Sequence, residues 1–384
     1  MRAMTSTSLN AERQAFADAV QSFCRRECGT RERRLELTDG GKHAHSQEIY
    51  QKMADLGWLG VNLPSAYGGS DGGAVDLTLF LEHTAYGLAP IGGFATSIIV
   101  AAAYEKFGTE EQKNDVLAGV TRGRVQSISM SEPEAGSDVG ALACKAERAD
   151  GGFLVNGQKT WCSAAHIADN ILLVARTSSA GGKHDGMTMF QVPTGVEGLR
   201  ISGIDTMCGK EVNDLYFTDV FLPESAVVGE VGQGWRQLMA GLNAERLILA
   251  ANSLGRAQRA FDDTLDYVKQ RKQFGRPIGT FQVLRHRLAD LATELEATRL
   301  LVRHTAELVD ENPGKLFPRE ASMAKLKATE LSKLVALEGM QMMGGYGYAT
   351  EYGMEAHLRA TVVSTVYGGT SEVQRDIIGK TFGL

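Results

Sequence analysis

Several things are scarce in this chain of 384 residues, and each scarcity removes a class of function. Cysteine is limited to Cys24, Cys28, Cys144, Cys162 and Cys208, an odd and scattered set without a CxxC pair, so neither a disulfide framework nor a thiolate zinc centre is predicted. Cys24 and Cys28 stand one helical turn apart with no further Cys or His nearby, and buried thiols are expected there. Basic residues do not outnumber acidic ones: 40 Lys and Arg against 46 Asp and Glu leave a formal charge of −6, with no excess to neutralise nucleic-acid phosphates. The densest basic stretch, RRECGTRERR from Arg25 to Arg34, is broken by acids and reads as a solvated helical face. No run of about 18 apolar residues is present to span a membrane. The opening MRAMTSTSLNAERQAFADAV passes from a polar lead into an amphipathic helix without the apolar core of a signal peptide, so a cytoplasmic protein is expected. P-loop, GxSxG and HExxH motifs are missing, and GEVGQG from Gly229 has the wrong spacing and context for a dinucleotide loop. HAH at His43 to His45 reads as a surface turn. Internal repeats and low-complexity tracts are lacking too.

What is present is a globular composition, 43% hydrophobic and 22% charged, on a chain long enough for two or three domains. Apolar residues recur at helical spacing from Leu9 to about Thr121 (Phe16, Val20, Phe23; Ile49, Met53, Leu56; Leu77, Leu81), interrupted by the glycine-rich loop LPSAYGGSDGGAVD. From Val125 to about Val231 the texture changes to short alternating runs, KAERADGGFLVNGQKTW, NILLVARTSS, GMTMFQVP and DLYFTDVFLP, which predict strands and hairpins in a small antiparallel barrel or sandwich. Long helical patterns return from Trp235, with Gly or Pro at the breaks, as in a bundle. The expected fold class is α+β, with a helical domain over 1–121, a β domain over 122–231 and a helical bundle over 232–384.

Two features ask for an explanation. In LMAGLNAERLILAANSLG, from Leu238 to Gly255, the only charged residues are Glu245 and Arg246, and Glu245 shares a helical stripe with Leu238, Leu242 and Leu249. A carboxylate on an apolar stripe is either a buried ion-pair partner or a general base whose surroundings lift its pKa from about 4.3 toward neutrality. Near the carboxyl terminus, VYGGTSEVQ places Gly368 and Gly369 where a helix would otherwise begin. Residue type alone makes them a turn, with Thr370 or Ser371 capping the helix that carries Val373, Ile377 and Ile378.

MSEPEAGSD (Met130 to Asp138), NGQKTWCS (Asn156 to Ser163), RKQFGRPIGTFQ (Arg271 to Gln282), QMMGGYGY (Gln341 to Tyr348) and VYGGTSEVQ, in that order, resemble the motifs of acyl-CoA dehydrogenases. The helical, β, helical plan fits as well, and the resemblance runs from YGGSDGG near Tyr67 to the last helix. It implies FAD between the β segment and the C-terminal helices. Ser131 and Ser163 would bond the flavin ring edge and Trp161 would pack on its face, with Met130 and Cys162 on the same strands and Gly136 and Ser137 shaping the substrate entrance. It further implies that Arg271, Gln273, Phe274, Gln341, Gly344 and Gly345 reach the pyrophosphate and adenosine of a neighbouring subunit's FAD, and that Thr370 and Glu372 contact the cofactor after the glycine turn. The protein would then be a homo-oligomer, a dimer of dimers.

The resemblance also bears on the two puzzling features. Most members carry Glu at the position of Gly368, as YEGT, and use it to abstract the substrate's α-proton; the isovaleryl-CoA and long-chain branches place the base before an arginine on the helix that here reads NAER. Glu245 matches that base. Gly368 keeps a backbone N–H that would help polarise the thioester carbonyl. Ser137, Arg246 and Tyr367 are expected to touch substrate, and the acyl pocket is expected to be floored by GGFATSIIVAAAY and the start of the Trp235 helix. The implied activity converts an acyl-CoA to its trans-2-enoyl form, with hydride passing to flavin N5 and electrons onward to an electron-transfer flavoprotein. Alternatives on the same fold are a carrier-protein-linked dehydrogenase or a flavin oxidase or monooxygenase; a helical scaffold without catalysis is the alternative outside enzymology. Ala360, where relatives often carry Asp, would remove a partner from Arg359.

Overall fold

In the computed structural model residues 9–384 are described, the side chains of Ala240, Leu242 and Asn243 excepted. The polar lead at 1–8 and Leu242's place on the Glu245 stripe therefore lie outside the described residues. Helices are α1 Ala11–Cys28, α2 Arg31–Leu37, α3 Gln47–Asp55, α4 Ala74–Tyr86, α5 Phe94–Phe107, α6 Glu110–Thr121, α7 Gly234–Gln270, α8 Gln282–Glu311, α9 Pro318–Met343, α10 Gly345–Tyr348, α11 Met354–Val362 and α12 Ser371–Lys380. Strands are β1 Gln126–Ser129, β2 Lys145–Ala149, β3 Gly152–Ser163, β4 Asn170–Arg176, β5 Met187–Pro193, β6 Leu199–Thr206, β7 Gly209–Pro223 and β8 Val227–Val228, followed by a small hairpin of β9 Lys272–Gln273 and β10 Arg276–Pro277.

The chain divides into two compact units. One is helical and is assembled from the described residues up to Arg34, Gly72–Ala89 and Glu245–Leu384. Its core forms where α4 packs on α1 and α8, and α9 packs on α8, α11 and α12. Polar side chains fix the register of these helices. Asp310 at the end of α8 accepts from the first amides of α4, Ala74 N at 2.6 Å and Val75 N at 3.1 Å, which satisfies donors a helix cannot satisfy itself. Asp263 of α7 accepts from Arg259 and meets His357 Nε2 of α11 at 2.8 Å. Cys24 and Cys28 are buried, as expected from their spacing. Gly255 of α7 lies directly against α4: a Cβ built there would sit 2.1 Å from the Glu82 carbonyl oxygen, so the close approach requires glycine.

The other unit holds Leu35–Asp71 and Pro90–Ala244, with the sheet, α3, α5 and α6. The alternating runs form strands as predicted; KAERADGGFLVNG folds into the β2–β3 hairpin, turning at Asp150 and Gly151. The expected closed barrel or two-sheet sandwich does not form. A single open sheet runs β6-β7-β3-β2-β4-β5-β8, and β1 and β2 both pair β4 in parallel, β2 at one residue pair only. The sheet remains open because β8, at one end, has two residues and offers too few backbone groups to close on β6. One face packs a core of Phe153, Val155, Leu173, Phe190, Leu215 and Leu222. Gln112 of α6 ties the helical side to the sheet by donating to the carbonyls of Ser225 and Val227 at 3.0 and 2.9 Å.

A branched side chain at the α4–α7 crossing should force two backbones apart. Gly255→Val is expected to lower the unfolding free energy by about 3 kcal/mol. Gly379→Ala, at a helical glycine with open space around it, is expected to raise it by roughly 0.5 kcal/mol. Urea unfolding of the two variants checks both signs.

Candidate functional site

In the sheet-bearing unit, the residues expected at the flavin edge come together around an irregularity in β3. The β3–β7 register shifts between Lys159 and Cys162, so that Thr160 and Trp161 stand opposite Asp214 alone. This is a bulge, and Trp161 sits in it at φ 59°, a backbone region that a bulky L-residue occupies only at a cost of about 1–3 kcal/mol. The consequence is a tryptophan turned outward, 60% exposed. Thr160 holds the bulge by donating its hydroxyl to Asp214 Oδ1 at 2.6 Å and its amide to the Ser131 carbonyl at 3.0 Å. Ser127 Oγ donates to the Ser163 carbonyl at 2.6 Å, bringing the third expected residue to the same strands. Cys162 faces the other way: its thiol is buried against Ser127 and Ile128, and burial pushes its pKa up to about 11, so only its backbone is on the side of Trp161. Gly136 and Ser137 lie on an exposed loop, and a Cβ on Gly136 would meet nothing within 4 Å.

Two residues that the sequence reading passed over support this loop. Lys159 is fully buried; its Nζ donates to the Met130 carbonyl at 2.9 Å and to Glu132 Oε1 at 2.7 Å. Glu132 in turn accepts from the amides of Ala143 and Cys144 at 2.6 and 2.9 Å. Burial holds the ammonium's pKa below that of an ordinary lysine, against the attraction of Cys144 and Glu132. The pair anchors both ends of the Met130 to Ala143 segment. Lys159 lies in the polar run NGQKT, so no apolar pattern in the sequence marks it as buried.

In the helical unit the expected residues form two clusters. At the end of α7, Arg271 lies 5.1 Å from the centre of the Tyr346 ring, a cation–π contact that joins the RKQFG and GGYGY motifs. Phe274 and Gly275, both at positive φ, turn the hairpin, and Phe274 is 93% exposed. Gln341, Gly344 and Gly345 are exposed at the end of α9; Gly344 takes φ 61° and a Cβ on either glycine would meet nothing, leaving backbone open to a ligand.

The second cluster surrounds the glycine turn. Gly368 and Gly369 have φ of 61° and 81°, and Thr370 caps α12, its hydroxyl accepting from Val373 N at 3.3 Å. A Cβ built on Gly368 would lie 3.5 Å from Glu245 Oε1 and 2.2 Å from Leu249 Cδ1, so the turn faces the carboxylate on α7. Among the described residues the Gly368 amide donates to no protein acceptor. Glu245 is partly buried; burial raises its pKa above that of an ordinary glutamate, while Arg246 and Lys325 draw it down. Arg246 is partly buried beside it, and Tyr367 is 39% exposed. Thr370 and Glu372 line a groove of ≈ 420 Å³ with Leu334, Leu337 and Val366. Lys325, on α9 beneath the turn, was not singled out from sequence, although it falls on the same buried stripe as Ala321, Ala328 and Ser332. Arg359 pairs with Glu355 at 2.6 Å, so the alanine at 360 leaves it with an acidic partner.

Among the described residues there is no group of three or more side chains that could hold a metal, and no helix is long and apolar enough to cross a membrane. The sheet-bearing unit thus offers an exposed aromatic on a strained strand, and the helical unit, by itself, offers glycine backbone open to a ligand and a groove of mixed polar and apolar lining. The acyl-CoA dehydrogenase N-terminal, middle and C-terminal domains match residues 10–124, 127–220 and 232–383. Isovaleryl-CoA dehydrogenase, mitochondrial, of Solanum tuberosum is 33% identical over 383 residues, covering 98% of this chain and 92% of the relative. The crystal structure of acyl-CoA dehydrogenase from Geobacillus kaustophilus superposes with a TM-score of 0.92 at 30% identity, covering 99% of this chain and 100% of the other. An FAD complex of PigA matches with a TM-score of 0.91 at 26% identity, over 99% and 100% of the two chains. The three domain matches, together with the likeness in sequence and fold, show that this chain belongs to the acyl-CoA dehydrogenase family.

Proposed function

We propose that the protein dehydrogenates an acyl-CoA thioester to its trans-2-enoyl form, with Glu245 as the base that takes the α-proton. The observation that carries this reading is the 3.5 Å between Glu245 Oε1 and a Cβ built on Gly368. The position where most relatives carry their base and the carboxylate of α7 thus look onto the same space. Burial raises the Glu245 pKa toward the range in which a carboxylate is an effective base. Leu249 occupies the room a side chain at 368 would need, and the positive φ at Gly368 favours glycine, so the turn contributes a backbone amide instead. That amide, which donates to no acceptor among the described residues, is suited to the thioester oxygen, where negative charge develops as the α-proton leaves.

FAD, when bound, supplies the acceptor for the β-hydrogen. Trp161, Ser131 and Ser163 would hold its ring, and Thr370 and Glu372 its tail. Arg271, Gln273, Phe274, Gln341, Gly344 and Gly345 form a separate phosphate and adenosine contact. Gln341 stands 16 residues beyond Lys325 on α9, about 24 Å along the axis, so the Arg271 cluster and the glycine turn are too far apart to grip the same phosphate. This separation supports a homo-oligomer, a dimer of dimers, in which the Arg271 cluster serves a neighbour's cofactor. The partly exposed Met323, Leu334 and Leu337 on α9 suit such an assembly. On α5, Phe94, Ile98 and Ala101 turn into their own unit, while Thr96, Ile99 and Ala103 are left half-buried on one stripe and are proposed to line the acyl chain. Ser137, Arg246 and Tyr367 complete the substrate contacts, and an electron-transfer flavoprotein is the proposed electron acceptor.

Four outcomes test this reading. Glu245→Gln should bind acyl-CoA yet slow flavin reduction by roughly two to four orders of magnitude in anaerobic stopped-flow. Because burial raises the base's pKa, the wild-type rate should fall as pH drops through a value above the ordinary glutamate range, and this acid limb should vanish in the variant. A wild-type rate in Glu245→Gln would reduce Glu245 to an ion-pair partner. Gly368→Glu should not rescue Glu245→Gln by itself, since Leu249 blocks it, but with Leu249→Ala a measurable part of the rate should return. Arg271→Glu should release FAD on gel filtration, read from flavin absorbance; a monomer that retains FAD normally would contradict the shared site.

A further inference from the structure

We propose that Lys325 is a positioning residue of this site, clasping the Gly368–Gly369 turn from within and providing the fixed positive charge against which Glu245 ionises. The inference rests on the reading of Glu245 as the base. Lys325 has no exposed surface, and its Nζ donates to the Ser364 carbonyl at 3.1 Å and the Gly369 carbonyl at 2.9 Å, bracketing the chain on both sides of the turn. Gln374 of α12, also fully buried, donates through Nε2 to the carbonyls of Gly368 and Gly369 at 3.0 and 2.9 Å. In a planar peptide the carbonyl and the following amide point in opposite directions. Holding the Gly368 and Gly369 carbonyls inward therefore fixes the amides of Gly369 and Thr370 outward. Lys325 grips the turn through the Gly369 carbonyl, and Glu245 stands 3.5 Å from where a Cβ of Gly368 would be.

The charges follow this geometry. Burial pulls Lys325 down to about 8, with Glu245, Glu330 and Glu372 raising it and Arg246 lowering it further. The charged groups acting on it thus come from α7 (Glu245, Arg246), α9 (Glu330) and α12 (Glu372). At neutral pH the ammonium persists and favours the carboxylate of Glu245 over its acid. Packing does not require an ammonium at this point of α9. An apolar residue would fill the volume without the penalty of burying a charge, and Gln374 already satisfies one of the two carbonyls that Lys325 meets.

The test compares Lys325→Met, Lys325→Gln, Lys325→Arg and Gln374→Leu in the FAD-loaded protein. For each, the pH dependence of flavin reduction by acyl-CoA is measured, with flavin absorbance reporting cofactor content. Removing the cation raises the Glu245 pKa, so in Lys325→Met and Lys325→Gln the acid limb should move up by about one pH unit. Lys325→Arg should keep the wild-type limb. Gln374→Leu should lower the plateau rate severalfold through the turn alone, with no movement of the limb. Lys325→Gln retains amide donors for the carbonyls and serves if Lys325→Met fails to fold. A wild-type limb in either neutral variant overturns the proposal. Glu245→Gln is run alongside: if it abolishes the limb while the Lys325 variants leave it in place, only the lysine's role fails, and if Glu245→Gln itself reacts normally, the base assignment fails.

Discussion

The helical unit depends on a carboxylate placed where the surroundings penalise its charge. Glu245 sits on a helix whose neighbouring side chains are mostly apolar, and burial raises its pKa. A charge in such a place persists only when something answers it. Here the answer comes from Arg246 beside it and Lys325 on α9, and the same lysine is bonded to the turn that Glu245 faces. The packing of α9 against α12 and the positive φ of Gly368 therefore belong to one arrangement, in which a polar group is held in low dielectric by partners that cannot easily move away.

The sheet-bearing unit uses a similar device on a different scaffold. Lys159 is buried beneath a backbone segment, donates to a carbonyl in it, and lies two residues from a strained position, Trp161. In both places a buried ammonium secures a loop next to a residue at positive φ. At Trp161 such a conformation is strained and survives only where the surroundings over-determine it, and buried charge-assisted hydrogen bonds are well suited to do so because they are costly to break; at Gly368 glycine adopts it freely. The orientation of Trp161 outward, with Cys162 turned into the core, follows directly from the bulge: an extra residue in β3 changes which face each side chain takes.

What the sequence determined by itself is the set of elements and the chemistry of single positions. The helical stripes, the β2–β3 hairpin and the capping of α12 by a hydroxyl at 370 or 371 are products of spacing and local turn preference, so they were legible without coordinates; the structure chose Thr370. So was the oddity of Glu245, because a lone carboxylate among leucines is anomalous at any distance. Tertiary structure alone decided how those positions meet. It left the sheet open, since closure depends on the length of its end strands. It also joined Lys325 to Gly369 and Lys159 to Met130, pairs 44 and 29 residues apart. Periodicity records which face of an element is buried, not which distant carbonyl a buried ammonium will find there. For that reason the base candidate could be read from the sequence, and the groups that hold the glycine turn could not.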